Sequence, residues 1–148
     1  MRKIPSIPWF IEAGLHRCLI WPILKSMCAS LEQDGKIKRP RGSVAVTGPN
    51  GKQELVWAGF ARSEILSWWQ RKKGATLLDI DATRFAERAD DTRELIWDEM
   101  PPDSVIRGLC DQSGKTPVLK IVTRPADAEE LAQFRHPRMP LLEKRIYS

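Results

Sequence analysis

Two aspartates near the middle of the chain have the type and spacing for metal chemistry. Asp79 and Asp81 flank Ile80 at the end of a short apolar run, so in a strand both carboxylates would lie on one face. Such a pair can hold Mg²⁺, and with Glu87 or Lys120 it would support phosphoryl transfer or nuclease chemistry. The simpler interpretation makes Asp81 a helix cap and Asp79 a strand-edge charge. We favour the simpler one and expect no metal and no cofactor.

Residues for nucleophilic catalysis are scarce. The chain has two histidines, and His16 lies two residues from Cys18, where a helix would place them about 200° apart. The three cysteines include no C-x-x-C pair, so neither a zinc site nor a disulfide framework is indicated. Reduced thiols favour a cytoplasmic location. The turn at residues 48–53 has Gln53 where a phosphate-binding loop needs Ser or Thr. An enzyme is therefore the less favoured interpretation.

Basic runs close to tryptophans are the stronger signal. One run covers residues 36–41, and another ends a predicted helix at residues 71–73. Clustered cations neutralise phosphates, and indole rings stack on unpaired bases. The predicted contacts for nucleic acid or another partner are Lys36, Lys38, Arg39, Arg41, Trp68, Trp69, Arg71, Lys72 and Lys73. Further cations nearby are Arg62, Arg135, Arg138, Lys144 and Arg145. The alternatives are a solvated basic face and core-facing tryptophans.

Charge is also divided along the chain. Residues 1–74 contain 13 Lys or Arg and 5 Asp or Glu, residues 75–134 contain 7 and 13, and residues 135–148 contain 4 and 1. This division predicts one basic and one acidic surface. The predicted acidic stripe is Asp90, Asp91, Glu94, Asp98, Glu99 and Asp103. It fits docking onto a second copy, mimicry of DNA toward a nucleic-acid-binding protein, or a solvated helix face.

The elements that position these residues are indicated by hydrophobic spacing. Residues 8–31 have apolar positions at helical intervals, which predicts one helix, broken at Pro22 and ended by Asp34-Gly35. Charges interrupt its apolar stretch, so we expect neither a membrane span nor a signal peptide, although a helix lying on a membrane surface remains an alternative. Asn50-Gly51 between alternating segments predicts a β-hairpin over 43–59.

The second half is predicted to alternate strands and helices. Strands are expected at 76–80 and 117–123. Helices are expected at 64–73 with Ser63 as N-cap, after Asp81 with Phe85, Ala89, Thr92 and Ile96 on one face or restarted at Asp91, from Asp103 to Gly114, and at 126–135 with Leu131 and Phe134 inward. The prolines after His136 predict an extended arm, packed on its own domain or offered to a neighbour.

Together these patterns predict an α+β fold. We expect a single globular domain over 1–135 and a proline-containing C-terminal arm over 136–148. The sheet is predicted to be mixed, combining the hairpin with a parallel pair formed by the strands at 76–80 and 117–122, and to be packed by four or five helices.

The favoured function is that of a small non-enzymatic binding or adaptor protein. It would act on nucleic acid, or on a nucleic-acid-associated protein complex, through a basic face containing tryptophan. One alternative is a regulator or assembly subunit that acts on another protein or associates with itself, without nucleic-acid contact. The other is a Mg²⁺-dependent phosphoryl-transfer or nuclease-like enzyme using Asp79 and Asp81.

Overall fold

Strands dominate the part of the chain that the structure describes. The structure is a computed structural model, and it describes residues 30–39, 42–48, 51–115 and 117–145. The strands are β1 (Ser30–Gln33), β2 (Lys36–Lys38), β3 (Ser43–Gly48), β4 (Gly51–Arg62), β5 (Thr76–Ile80), β6 (Arg84–Arg88), β7 (Leu95–Glu99), β8 (Ser104–Asp111), β9 (Val118–Pro125), β10 (Arg138–Pro140) and β11 (Leu142–Lys144). A 3₁₀ turn at Ser63–Ile65 leads into helix α1 (Leu66–Lys73), and helix α2 is Ala128–Phe134.

Five of the strands close into a barrel. The order is β9-β4-β3-β5-β8, and β8 also pairs with β9, so the sheet returns to its first strand. All of these pairings are antiparallel except that of β4 with β9. The C-terminal strands then extend the barrel wall, β10 along β9 and β11 along β8.

Alternating residues of the five strands fill the barrel. One face of each strand contributes to the inner cluster, which includes Val44, Val46, Leu55, Trp57, Phe60, Leu78, Ile80, Ile106, Cys110, Leu119 and Ile121. Gly108 also faces inward, because it lies opposite Leu78 on β5 and opposite Ile121 on β9. Burying these side chains from water is the main contribution to the stability of the barrel.

A β-bulge in β4 lets two large aromatic residues share the barrel interior. Trp57 and Phe60 are three residues apart, so a regular strand would place them on opposite faces. The pairing with β9 shifts register between them, and Gly59 has a φ of 118°, a conformation open to glycine. Both rings therefore join the inner cluster.

A second sheet extends the inner cluster beyond the barrel. Its order is β2-β1-β6-β7, with every pair antiparallel. Leu31 of β1 and Phe85 of β6 belong to the inner cluster, and Phe85 stacks on Phe134 of α2 at 5.9 Å between centroids. Because Gln33 pairs its side-chain amide with both the N–H and the C=O of Ala45 in β3, the two sheets are also joined by polar bonds.

Helix α1 covers part of the outer barrel surface. Fully buried Trp69 packs with Ala61, Leu109 and Val122, which point outward from β4, β8 and β9, to form the outer cluster. Gly74 ends the helix in the left-handed conformation with φ 63°, as the sequence predicts for a residue following the last turn.

The predicted α+β class with four or five helices is wrong. Only two helices occur in the described residues, which are mostly strand. The segment expected to be helical after Asp81 is the hairpin β6–β7, and the segment from Asp103 to Gly114 contains β8. Asp103 has a φ of 60°, whereas an N-cap needs an extended backbone. β8 is buried at nearly every position, so its apolar residues Val105, Ile106, Leu109 and Cys110 also satisfy a helical pattern.

Several finer predictions also need correction. The parallel partner of β9 is β4, whereas β5 pairs antiparallel with β3 and β8. Asp34-Gly35, both at positive φ, form the tight turn between β1 and β2, and do not end a helix. Residues 30–31, predicted to be helical, lie in β1, and the rest of the 8–31 prediction lies outside the described residues.

Two predicted side-chain roles differ as well. No side chain caps either the 3₁₀ turn or α1, and the Ser63 hydroxyl instead lies 3.4 Å from the Glu64 carboxylate. Leu131, expected to face inward, is half exposed, while Phe134 is buried as predicted.

Other elements match their predictions. The structure contains the hairpin over 43–59, the helix before Gly74 and the strands at 76–80 and 117–123. The helix expected at 126–135 is α2, and Asp127 and Glu130 cap it reciprocally. The described part of the C-terminal arm packs on its own barrel as β10 and β11.

Candidate nucleic-acid interface

Helix α1 presents cations beside a half-buried tryptophan. Arg71 and Lys72 follow Trp68 by three and four residues, so they lie one turn further along the same side of the helix. Both cations are exposed, and Trp68 keeps part of its ring at the surface. A helix C-terminus favours positive charge because its last carbonyls are unpaired, so these two cations also stabilise the helix.

The other predicted residues of α1 point inward. Trp69 is 0% exposed, so it is a core residue with no surface on which a base could stack. Its ring meets that of Trp68 edge to face at 5.3 Å between centroids. Lys73 is buried, and its Nζ lies 5.9 Å from the centre of the Trp68 ring. The helix therefore divides into an inner side with Trp69 and Lys73 and an outer side with Arg71 and Lys72.

The second predicted basic group lies on the β1–β2 hairpin. Lys36 and Arg39 are exposed and Lys38 is half buried, while Arg41 lies outside the described residues. The hairpin belongs to the second sheet, whose Leu31 joins the inner cluster, whereas α1 packs on the outer cluster. The two basic groups are thus carried by elements that pack against different parts of the core.

Ion pairing separates the cations into two classes. Arg135, Arg138 and Arg145 bind Asp91, Glu64 and Asp81 respectively, and Arg84, Arg107 and Arg124 also pair with carboxylates. By contrast, no carboxylate of the described residues forms an ion pair with the five remaining predicted contacts, Lys36, Lys38, Arg39, Arg71 and Lys72. The predicted cations of the hairpin and of α1 therefore keep their charge available, whereas the three arginines after residue 134 are largely neutralised.

The two aspartates considered for metal binding are held by arginines. Asp79 is buried, and its carboxylate accepts a hydrogen bond of 2.6 Å from Arg107, which also binds Glu143. Asp81 accepts from Arg145. Within the described ranges there is no group of three or more His, Cys, Asp or Glu side chains suited to a metal ion. A cation at either aspartate would have to displace a guanidinium group.

Lys120, the third candidate for phosphoryl chemistry, is a buried residue of the outer barrel surface. Its Nζ lies 5.4 Å from the centre of the Trp69 ring and donates to the carbonyl of Ala58, next to the bulge in β4, at 3.2 Å. The contact with the Trp69 ring and the hydrogen bond to Ala58 account for the buried position of Lys120, so no contact with a substrate is needed to explain it.

A small cleft lies where the two sheets meet. It has a volume of about 200 Å³ and is lined by Gln33, Asp34, Ala45, Asp81, Ala82, Thr83 and Arg145. Two of its charged side chains, Asp81 and Arg145, bind each other, and the Gln33 amide donates to the backbone carbonyls of Ala45 and Asp81. The polar groups of the cleft therefore serve to join the two sheets.

A buried acid was not identified as a core residue from the sequence. Glu87 of β6 is fully buried, and neither of its carboxyl oxygens has a hydrogen-bond partner among the described residues. Burial, reinforced by the charge of Asp90, raises the pKa of Glu87 well above its usual value. His136 lies nearby in contact with the same aspartate, its Nε2 3.7 Å from Asp90 Oδ1. No signal in the sequence distinguishes Glu87 from a surface glutamate.

Comparisons with protein-family models, with curated proteins and with solved structures give no match for this chain. Among the residues that the structure describes, no helix has the length and apolar character needed to cross a membrane.

Proposed function

We propose that this chain is a non-catalytic binding module for single-stranded nucleic acid, acting in the cytoplasm. The observation that carries the proposal is the outer side of α1, where exposed Arg71 and Lys72 have no carboxylate partner in the described residues and lie one turn from the partly exposed ring of Trp68. Cations of this kind bind phosphates, and an adjacent indole supplies a surface for a base. Lys36, Lys38 and Arg39 remain predicted additional phosphate contacts.

The cytoplasmic location is supported by the state of the cysteine that the structure describes. Cys110 is free and buried in the barrel, and burial raises the pKa of its thiol, which keeps the group protonated and unreactive. A buried cysteine with no disulfide partner in the described residues fits a reducing compartment.

We do not propose the metal-dependent enzyme. Arg107 and Arg145 already bind the carboxylates of Asp79 and Asp81, and Lys120 is buried beneath Trp69. The regulator directed at proteins is the second candidate, and one observation favours it: the second sheet ends in two strands of opposite charge, β2 and β7.

The test is binding of a dye-labelled oligo(dT) of about 20 nucleotides, measured by fluorescence anisotropy at low salt. We expect R71E/K72E to bind at least about tenfold more weakly than the unmodified chain, because two phosphate contacts become repulsive. K115E/K144E is the matched control, since it makes the same change in net charge at two exposed lysines outside the predicted contacts. Circular dichroism verifies that both variants fold.

Two results would overturn the proposal. One is absence of oligonucleotide binding by the unmodified chain at low salt. The other is an equal loss of affinity in R71E/K72E and K115E/K144E, which would mean that only net charge matters. W68F should also bind oligo(dT) more weakly than the unmodified chain, because phenylalanine keeps an aromatic ring for packing but offers less surface for stacking.

A further inference from the structure

The second sheet ends in two edge strands of opposite charge. β2 carries Lys36 and Lys38 at one edge, and β7 carries Asp98 and Glu99 at the other. In the part of the chain that the structure describes, none of these four side chains forms an ion pair. Ile37, between the two lysines, is 44% exposed and so is available for contact. Within the residues that the structure describes, neither edge pairs with a further strand, so both present backbone groups able to pair with one.

Strand directions allow this sheet to continue from one molecule into the next. Each neighbouring pair in β2-β1-β6-β7 is antiparallel, so β2 and β7 run in opposite directions. A second copy placed beside the first in the same orientation would therefore bring its β7 antiparallel to β2. Antiparallel addition to an exposed edge is an established mode of strand recognition.

The faces of the sheet limit the register of such a pair. Lys38 lies opposite Leu31, Leu31 opposite Phe85, and Phe85 opposite Asp98, so all four share one face of the sheet. Lys36 is on that same face, and Ile37 and Trp97 are on the other. A face-preserving register that joins Ile37 to Trp97 also places Lys36 opposite Asp98 and Lys38 opposite Ile96. Cross-strand pairs of opposite charge and of apolar residues both stabilise a ladder.

We infer that β2 of one copy pairs with β7 of a second copy of this chain, in the register Lys36–Asp98 and Ile37–Trp97. Lysines on an edge oppose pairing between two β2 strands, and acids oppose pairing between two β7 strands, so only the head-to-tail combination is favoured. A contact of this type generates either closed rings or open chains with one free edge at each end. The inference is independent of oligonucleotide binding by α1.

Light scattering on nuclease-treated protein at low salt tests the inference. The unmodified chain should show a weight-average mass that rises with concentration to at least about twice the 16.9 kDa of one copy. K36D alone and D98K alone should each remain at the mass of one copy, because each brings like charges together. An equal mixture of K36D and D98K should associate again, since each variant then meets the opposite charge on its partner.

Two outcomes of the light-scattering experiment would overturn the inference. A constant mass of 16.9 kDa for the unmodified chain at every concentration would overturn the inference. So would association of the K36D/D98K mixture no stronger than that of either variant alone. Oligo(dT) binding by R71E/K72E is measured separately, and that variant should associate like the unmodified chain, which distinguishes failure of this contact from failure of the proposed function.

Discussion

At the scale of single residues, the structure separates charges that stabilise the fold from charges that remain available. Arg138 is the clearest example of the first kind. Its guanidinium group binds Glu64 through two hydrogen bonds of 2.6 and 2.8 Å and also donates to the hydroxyl and carbonyl of Thr123. The sequence placed this arginine among the available cations, because nothing local indicates that a glutamate 74 residues away reaches it.

Acid should weaken the Glu64–Arg138 contact. The hydrogen bonds from Arg138 lower the pKa of Glu64 to about 2 from its usual 4.5, so the contact stabilises the fold above pH 4.5 and is lost as the pH falls toward 2. E64Q should therefore be less stable than the unmodified chain at pH 6, by about 1 kcal/mol because the carboxylate is partly exposed, and equal to it near pH 2.

Urea denaturation at several pH values measures that difference. E129Q, on the exposed side of α2, is the control and should show no comparable change. A difference between E64Q and the unmodified chain that stays constant from pH 6 to pH 2 would contradict the assignment.

Glu87 should have the opposite pH dependence. Because the pKa of Glu87 is raised in the folded chain, the folded chain keeps this proton at pH values where the unfolded chain has released it. The free energy of unfolding therefore falls as the pH rises above 4.5, the usual pKa of a glutamate. E87Q, which cannot ionise, should match the unmodified chain near pH 4 and exceed it by about 1 kcal/mol or more at pH 8. The same urea series measures this, and a variant less stable than the unmodified chain at pH 8 would refute it.

At the scale of elements, the sequence predicts those that depend on adjacent residues and does not predict the pairing of strands that are distant in sequence. The hairpin over 43–59 and the helix before Gly74 are specified by residues next to one another, Asn-Gly and a C-terminal glycine. β6 pairs with β1 and β8 pairs with β5, which are distant in sequence, and the apolar spacing around both strands also suits a helix. The available signal for β1–β2 is the Asp34-Gly35 turn, and the same residue pair also fits the end of a helix.

Packing inside the barrel favours a glycine in β8. A Cβ atom on Gly108 would lie 2.8 Å from Ile80 Cδ1 and 2.9 Å from Leu119 Cδ1, inside van der Waals contact. G108A should therefore lower the free energy of unfolding by about 1–3 kcal/mol. G114A is the matched control, because a Cβ there meets nothing within 4 Å. Equal urea midpoints for G108A and G114A would contradict tight packing around Gly108 inside the barrel.

At the scale of the whole molecule, the charge division seen along the sequence persists in part. Arg135 pairs with Asp91 and Glu94 of the β6–β7 turn, and Arg145 pairs with Asp81 just before β6, so this region is less negative than its composition suggests. The cations of the β1–β2 hairpin and of α1 are not paired in this way within the described residues. The candidate interface was thus predictable by residue type, whereas the burial of Trp69 and Lys73 required the fold.

The central claim is that Arg71 and Lys72 contact phosphates, and the salt dependence of oligo(dT) binding tests it most directly. For single strands the logarithm of the affinity falls with the logarithm of the salt concentration by about 0.7 per phosphate contact. R71A/K72A should therefore reduce the magnitude of this slope by about 1.4 relative to the unmodified chain, while K115A/K144A should leave it unchanged. An unchanged slope in R71A/K72A would contradict the account.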